Sequence, residues 1–165
     1  FTTKDGMVVD TFWIQGADRG PFDQPHRLKK LASMVEATLT KDFKPALELE
    51  RRAGEAMASR TDIFKVAPRV LIDNRASATH TVIEVNARDR AGMLFDAARK
   101  LGELNLSIGS ARINTYGETA VDVFYVKDVF GMKITDESRL ADIKAALLEV
   151  LVEGDREARG HIAAE

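Results

Sequence analysis

The sequence has no cysteine and little net charge, since 24 basic and 26 acidic side chains leave a formal charge of −2 over 165 residues. The missing cysteine excludes disulfides, thiolate catalysis and zinc–thiolate sites, and it fits a cytoplasmic location. No broad basic field indicates nucleic acid or an anionic membrane as a partner. No run approaches the roughly 20 apolar residues of a membrane span, and no basic-then-apolar leader opens the chain.

Residues that carry chemistry are also scarce. There is no His-Asp dipeptide, and His26, His80 and His161 are too scattered to indicate a metal site. We find no nucleophile–base pair and no glycine-rich phosphate loop. The composition, 45% apolar and 30% charged, is that of a folded soluble protein. We therefore expect a non-catalytic module with no catalytic residue, metal or cofactor of its own.

The chain contains an internal repeat at an offset of 112 residues. The segment 9–14 reads VDTFWI and the segment 121–126 reads VDVFYV. The same offset, without a gap, aligns further identical residues: Thr3 with Thr115, Arg27 with Arg139, Leu28 with Leu140 and Leu39 with Leu151. Seven identities over forty positions exceed the two or three expected at roughly 6% per position. The repeat predicts two copies of one domain.

The two copies are not equally complete. The segment 79–112 precedes the repeat in the second copy, and its counterpart in the first copy would lie before Phe1. We therefore expect one near-complete copy preceded by the second half of another. The predicted boundaries are 1–44 for the C-terminal half of the first copy, 45–64 for a helical linker, 65–78 for the probable closing strand of the first copy and a connector, 79–152 for the second copy and 153–165 for a flexible tail.

The second copy has the pattern βαββα. Alternation and β-branched residues predict strands over 81–86, 106–114 and 119–127, with a hairpin turn at 116–118. Apolar spacing predicts a helix over 93–104 and another that opens after Thr135 as its N-cap. One further strand would complete an α+β, ferredoxin-like βαββαβ sandwich. In the first copy we expect a strand over 7–15, a helix over 23–40 and a strand over 66–73.

The turn between the first strand and first helix of the second copy is the most informative segment. Unpaired N–H groups at a helix N-terminus suit a carboxylate. Gly92 permits close approach of a ligand, Asp89 suits an ammonium group and Asn86 suits an amide. A purely structural interpretation is equally simple, in which Asp89 caps the helix and Gly92 permits the turn. Spacing alone leaves both interpretations open.

The residues 89–94, Asp-Arg-Ala-Gly-Met-Leu, resemble the Asp-Arg-Pro-Gly-Leu-Leu signature of ACT domains, which bind amino acids. The segments 69–74, 111–118 and 121–133, together with DTFWIQ in the first copy, are similar to the tandem C-terminal ACT domains of the bacterial PII uridylyltransferase/uridylyl-removing enzyme. The likeness is strongest to the alphaproteobacterial forms and covers nearly the whole chain. In the signature, Ala91 stands where the family has proline, which loosens the turn.

The resemblance implies a regulatory region that senses glutamine as an allosteric ligand and so sets whether the PII protein is uridylylated. The nucleotidyltransferase and HD phosphohydrolase domains, with their Mg²⁺ and UTP, would lie N-terminal to the ACT pair. It also implies that the amino acid sits at the strand–helix turn. The site residues expected on this basis are Asn86, Asp89, Arg90, Gly92, Met93 and Leu94.

Other interpretations remain at this stage. The module could act as an oligomerisation or interaction scaffold without a ligand. An RNA-recognition motif shares the βαββαβ order, but the strand 81–86 has no aromatic residue for stacking on bases. Unpaired sheet edges predict a homo-oligomer. Asp10 and Asp122, matched across the repeat, are expected to pair with an arginine on a neighbouring strand, with Arg112 the candidate for Asp122.

Overall fold

The computed structural model describes residues 7–16, 20–40, 43–55 and 66–162. The chain divides into two units, Phe1–Glu48 and Leu49–Glu165. The elements in chain order are α1 (Pro25–Leu39), α2 (Pro45–Glu55), β1 (Arg69–Asp73), β2 (Thr81–Arg88), α3 (Met93–Glu103), β3 (Ser107–Tyr116), β4 (Thr119–Lys127) and α4 (Glu137–Ile162).

The second unit is built on a four-stranded sheet in the order β1-β2-β4-β3. Every neighbouring pair is antiparallel. β2 and β4 lie at the centre, and β3 reaches β4 through the hairpin at Gly117, whose φ of 62° is the left-handed conformation that glycine adopts readily. Two helices packed on one face of an antiparallel sheet make an α+β, ferredoxin-like arrangement, which confirms the predicted fold class.

The core lies between this sheet and the helices α3 and α4. Alternation sends Ile83 and Val85 of β2, with Phe124 and Val126 of β4, to the same buried face. Helical spacing places Ala97 and Leu101 of α3 against that face. The apolar face of α4 packs there too, since its residues Ile143, Leu147 and Leu151 are buried and Leu140 is partly buried.

β3 differs from the other strands because all ten of its residues are exposed. It forms one edge of the sheet, and its register against β4 shifts between Ile108 and Ser110. At this bulge a Cβ on Gly109 would lie 2.7 Å from Nε2 of His80, so only glycine fits without a shift of the ring. The strand therefore contributes one paired edge and one free edge within the described residues.

The start and end of α4 differ from the sequence prediction. The helix is capped by Asp136, whose Oδ1 accepts the N–H of Arg139 at 2.7 Å, and not by Thr135. The helix then continues to Ile162, through most of the stretch predicted as a flexible tail. The segment beyond residue 152 is rich in Ala, Glu and Arg, which have high helix propensity and extend a helix already anchored by packing.

β1 belongs to the sheet of the second unit. Its residues Arg69 to Asp73 pair with Asn86 to Val82 of β2. The following loop is tied down by Asn74, whose Nδ2 donates to the carbonyl of Ile134 at 2.7 Å and whose Oδ1 accepts the hydroxyl of Thr81. Lys133 Nζ donates to the carbonyls of Asn74 and Ser77. The assignment of 65–78 to the first copy stays a prediction, and the pairing observed here is with the second.

The first unit has little buried surface among its described residues. α1 confirms the helix predicted over 23–40, but it has no buried residue. The strand predicted over 7–15 is wrong, since isolated bridges such as Gln15 with Pro21 take its place. Phe12 and Trp13 are exposed. The physical reason is that a strand needs a hydrogen-bonded neighbour, and the described residues of this unit supply none for its length.

The offset of 112 reappears in the coordinates. The N–H of Gly16 donates to the carbonyl of Gly20 at 2.9 Å, and the N–H of Asp128 donates to that of Met132 at the same distance. α1 begins at Pro25 and α4 begins at Glu137. Both correspondences keep the register derived from the sequence, so the two segments share a turn and a helix start.

Candidate functional site

The bend between β2 and α3 is held by backbone hydrogen bonds. The N–H of Asp89 donates to the carbonyl of Glu118 at 2.8 Å, which continues the β2–β4 pairing past the end of the strands. The N–H of Met93 donates to the carbonyl of Arg90 at 3.2 Å. Gly92 has a φ of 87°, a left-handed conformation that costs other residues roughly 1–2 kcal/mol. The bend therefore requires a glycine at this position.

The N-terminus of α3 has backbone N–H groups without protein partners. Asp96 donates its N–H to the carbonyl of Gly92 at 2.9 Å, but no hydrogen bond in the described residues uses the N–H of Gly92, Leu94 or Phe95. Within the part of the chain that the structure describes, no side chain caps this helix, so the interpretation of Asp89 as its cap is wrong. Free N–H groups and the positive end of the helix dipole favour an anion such as a carboxylate.

Arg90 is the cation at this helix start. Its Nη2 donates to Oδ2 of Asp96 at 2.6 Å and its Nη1 donates to the carbonyl of Ala91 at 3.2 Å. The side chain is only 12% exposed because the guanidinium lies against Gly154 of α4, where a Cβ would overlap it. A guanidinium held beside free amides adds a second group that can bind a carboxylate.

A buried carboxylate lies on the same face of the sheet. Asp122 is fully buried on β4, opposite Val85 of β2 and Ile113 of β3. Neither of its oxygens has a hydrogen-bond partner within the described residues. Burial raises its pKa to about 6; the backbone of Asn114 opposes that shift and the charge of Asp89 adds to it. The sequence marked Asp122 as notable only through the repeat.

The expected pairing of Asp122 with Arg112 is wrong. Arg112 lies opposite Val123 in the β3–β4 register, whereas Ile113 lies opposite Asp122. Successive residues of a strand face opposite sides, so Arg112 faces away from the helices and Asp122 faces towards them. No ion pair of Asp122 is found in the described part of the chain. The identity of the neighbouring strand was right, but the face was not.

Residues 76–153 match the family that is described as the ACR family N-terminal ACT domain. These residues of the second unit form an ACT domain. The chain is also similar, at 53% identity over 93% of its length, to the bifunctional uridylyltransferase/uridylyl-removing enzyme of Azospirillum brasilense. Enzymes of the same name in Gluconobacter oxydans and Rhodospirillum rubrum are 47% and 45% identical over 91% and 88% of the chain. No solved structure matches the chain.

The chain covers only a small part of these relatives, 16% of the length of each of the three. The alignments nevertheless run through both units, because 93% of 165 residues extends well beyond the ACT domain at 76–153. In the Azospirillum brasilense relative, one continuous alignment thus matches residues of both units. It also confirms the resemblance drawn from the strand and turn motifs.

The ACT domain brings only some of the six predicted site residues together. Asp89, Arg90, Gly92 and Leu94 lie on the bend and the first turn of α3, and Leu94 is 42% exposed. Met93 is buried in the core beneath them. Asn86 lies on the sheet face away from the helices, where its Nδ2 donates to Oε1 of Glu84 at 2.8 Å.

The ACT domain has neither a cluster of metal ligands nor a membrane-spanning helix among its described residues. Among the described residues, no three His, Asp or Glu side chains are placed to hold a metal ion together. In the same ranges, no helix has the length and apolar content to cross a bilayer. The groups that do converge at the bend are amides, one guanidinium and carboxylates, which are groups that bind zwitterions.

Proposed function

We propose that this chain is the regulatory, amino acid-sensing segment of a bifunctional uridylyltransferase/uridylyl-removing enzyme, and that its ligand is glutamine. The longer enzyme would modify the PII protein in catalytic domains that use UTP and Mg²⁺, outside this chain. The identities of 53%, 47% and 45% to enzymes of that name support this assignment. The cytoplasm is the expected location of such signalling.

The observation that carries the ligand proposal is the uncapped start of α3. The N–H groups of Gly92, Leu94 and Phe95 have no hydrogen-bond acceptor among the described residues. A helix start without a cap is costly unless water or a ligand satisfies it. A ligand carboxylate accepts these N–H groups and interacts with the guanidinium of Arg90. In this arrangement Asp89, exposed beside the bend, receives the ligand's ammonium.

A ligand at the bend would lie in contact with the side chains that already surround Gly92. A Cβ built on Gly92 would lie 3.6 Å from Nη1 of Arg90 and 3.9 Å from Cδ1 of Leu49. The glycine thus leaves a gap about one methyl group wide between these two side chains. The carboxylate enters where Arg90 turns from Asp96 towards the ligand, exchanging one charged hydrogen bond for another.

The first unit, in this proposal, is the second half of another ACT copy. The shared turn and helix start at the offset of 112 support it. Leu31, Val35 and Leu39 of α1 correspond to the buried Ile143, Leu147 and Leu151 of α4, yet all three are exposed. A homo-oligomer is the expected assembly of this segment, since α1 and the free edge of β3 both leave groups that favour a partner.

The competing function is a scaffold that binds no ligand. The exposed edge of β3 and the exposed apolar face of α1 favour it. The two functions differ in what happens at Gly92, because a scaffold needs the bend only as a turn. Calorimetric titration of the chain with glutamine, glutamate, asparagine and serine separates them, since only a sensor binds one amino acid selectively.

Gly92→Val tests the site directly. We expect it to abolish glutamine binding, because a valine side chain fills the gap beside Arg90 and alters the bend. Gly131→Val is the matched control: Gly131 also has a left-handed φ, of 76°, but lies after β4, at the opposite end of the sheet. Both variants bear a strain of roughly 1–2 kcal/mol, which thermal unfolding measures.

The comparison of the two variants decides the result. Equal losses of stability with binding lost only in Gly92→Val support the sensor. Equal binding in both variants contradicts the bend as the site. If the unaltered chain binds none of the four amino acids, glutamine sensing is contradicted and the scaffold function remains.

A further inference from the structure

Three carboxylates lie at one end of the helix-covered face of the ACT sheet. Asp122 and Glu118 come from β4 and its hairpin, and Asp89 follows β2. In the antiparallel register, Asp122 lies opposite Val85, and Ala120 lies opposite Ala87. The hydrogen bond from the N–H of Asp89 to the carbonyl of Glu118 continues this pairing beyond the strands. The two alanines are buried and small, so they form a low floor between the acidic groups. We call this region the acidic niche.

The buried oxygens of the acidic niche are unsatisfied. Both oxygens of Asp122 and Oε2 of Glu118 are buried without a hydrogen-bond partner among the described residues. An unpaired carboxylate in an apolar core is unfavourable by several kcal/mol, and such groups in native proteins need a specific explanation. The nearby N–H of Asn114 lowers the pKa of Asp122 but does not reach the geometry of a full hydrogen bond.

The neighbouring cations do not neutralise the niche. On the α3 side, Arg90 is bonded to Asp96 at 2.6 Å. On the α4 side, Arg88 lies 3.9 Å from Asp155. No ion pair of Asp89, Glu118 or Asp122 is found within the described ranges. The niche therefore carries negative charge that the surrounding elements leave uncompensated.

The chemistry of the niche favours an organic cation. No three acidic or histidine side chains in the described part of the chain are placed for a metal ion, so the carboxylates are spread too widely for direct coordination. An organic ammonium group needs fewer simultaneous ligands than a metal ion does. Its carbon chain also needs an apolar surface to contact. Asp122 itself is fully buried, but Ile113, directly opposite it on the edge strand β3, is 45% exposed, so the β3 side is where we infer that a ligand approaches.

We propose that Asp122, assisted by Glu118, binds the α-ammonium group of the amino acid whose carboxylate is held at the start of α3. This inference rests on the proposed function and extends its site from the bend to the floor beneath it. Asp89 then forms the outer rim of the ammonium site, and Asp122 its buried base. A ligand without an amino group leaves Asp122 unpaired and binds weakly.

The test uses calorimetry on the whole chain with glutamine and with 4-carbamoylbutanoate, which is glutamine without its amino group. We expect the unaltered chain to bind glutamine at least tenfold more tightly. Asp122→Asn is expected to remove this preference by weakening glutamine binding alone. Glu118→Gln is a second variant with a smaller loss, and Asp136→Asn, at the opposite end of the sheet, is the control that retains full binding.

Proton release gives a readout that a structural role would not move. Near pH 6 about half of Asp122 is protonated, so an ammonium that favours its charged form releases up to about half a proton on binding. Titrations in two buffers of different ionisation enthalpy measure this release, which should vanish in Asp122→Asn. Glutamine binding of normal strength in Asp122→Asn overturns the inference and leaves the proposed function intact. No amino acid binding in the unaltered chain overturns both.

Discussion

The helices α1 and α4 begin 112 residues apart, at matching positions of the sequence repeat, yet α1 has no buried residue and α4 is buried along one face. Leu39 is 78% exposed, whereas its counterpart Leu151 is 1% exposed. The sequence patterns are alike, so the difference lies in what each helix has to pack against. α4 covers a four-stranded sheet, and the described residues of the first unit contain no sheet.

This difference shows that a row of apolar residues on a helix stabilises the fold only where the helix has a surface to pack against. Helix propensity and capping can maintain a short helix only marginally. Burial contributes roughly 25 cal/mol per Å² of apolar surface, and α1, which has no buried residue, gains little of it. Substitutions at two positions 112 residues apart therefore measure how much packing against the sheet contributes to the free energy of unfolding at that position.

The largest expected contrast is between Leu151→Ala and Leu39→Ala. The first variant should lower the free energy of unfolding of the ACT domain by about 2–5 kcal/mol, because it leaves a cavity in a closed core. The second should change it by less than about 0.5 kcal/mol, as surface substitutions do. Urea unfolding followed by circular dichroism measures both. Similar losses in the two variants would mean that α1 is packed in solution.

The second contrast is between Asp122→Asn and Asp10→Asn, and it depends on pH. Burial raises the folded-state pKa of Asp122 from 3.8 to about 6, so the protonated form favours folding. This contribution is fully present below about pH 4 and is lost as pH rises through 6. Two pKa units correspond to on the order of 3 kcal/mol. We expect the unaltered chain to lose about 2–3 kcal/mol relative to Asp122→Asn between pH 4 and pH 8.

Asp10→Asn is the control for that measurement, since Asp10 is exposed at the matching position. It should leave the stability curve within about 0.5 kcal/mol of the original at both pH values. Unfolding by urea at pH 4, 6 and 8 provides the comparison. A pH dependence that survives in Asp122→Asn would assign it to another group.

The smallest contrast concerns the helix caps. Asp136 caps α4 through the N–H of Arg139, whereas Gln24, its counterpart before α1, makes no capping hydrogen bond. Asp136→Ala should lower stability by about 1 kcal/mol, and Gln24→Ala should have no measurable effect. Conversely, Gln24→Asp should raise the helical signal of α1 in circular dichroism. A loss of stability in Gln24→Ala would show a contact of Gln24 outside the described residues.

Much of the ACT domain was predictable because its local signals agree with its tertiary structure. The predicted strand over 119–127 coincides with β4, and the predicted helix over 93–104 differs from α3 by one residue. The hairpin turn predicted at 116–118 from the Tyr-Gly-Glu sequence is confirmed, with Gly117 at a φ of 62°. The bend at Gly92 was likewise located by its sequence, since few residues other than glycine adopt that φ.

The parts that were missed depend on contacts that a sequence does not specify. The strand expected over 7–15 has the same pattern as β4 but lacks paired neighbours. Arg112 was assigned to the wrong face because the register between two strands is set by the whole sheet. Thr135 and Asp136 are both good caps, and the one-residue choice between them depends on where packing places the first turn.

The register of β1 has a consequence for how the chain enters the ACT domain. Arg69, the first residue of β1, lies opposite Asn86, close to the end of β2 from which the Gly92 bend departs. A displacement of Arg69 would therefore reach the sheet at the end where the Gly92 bend lies, while the hydrogen bonds of Asn74 and Lys133 hold the loop at the other end of β1.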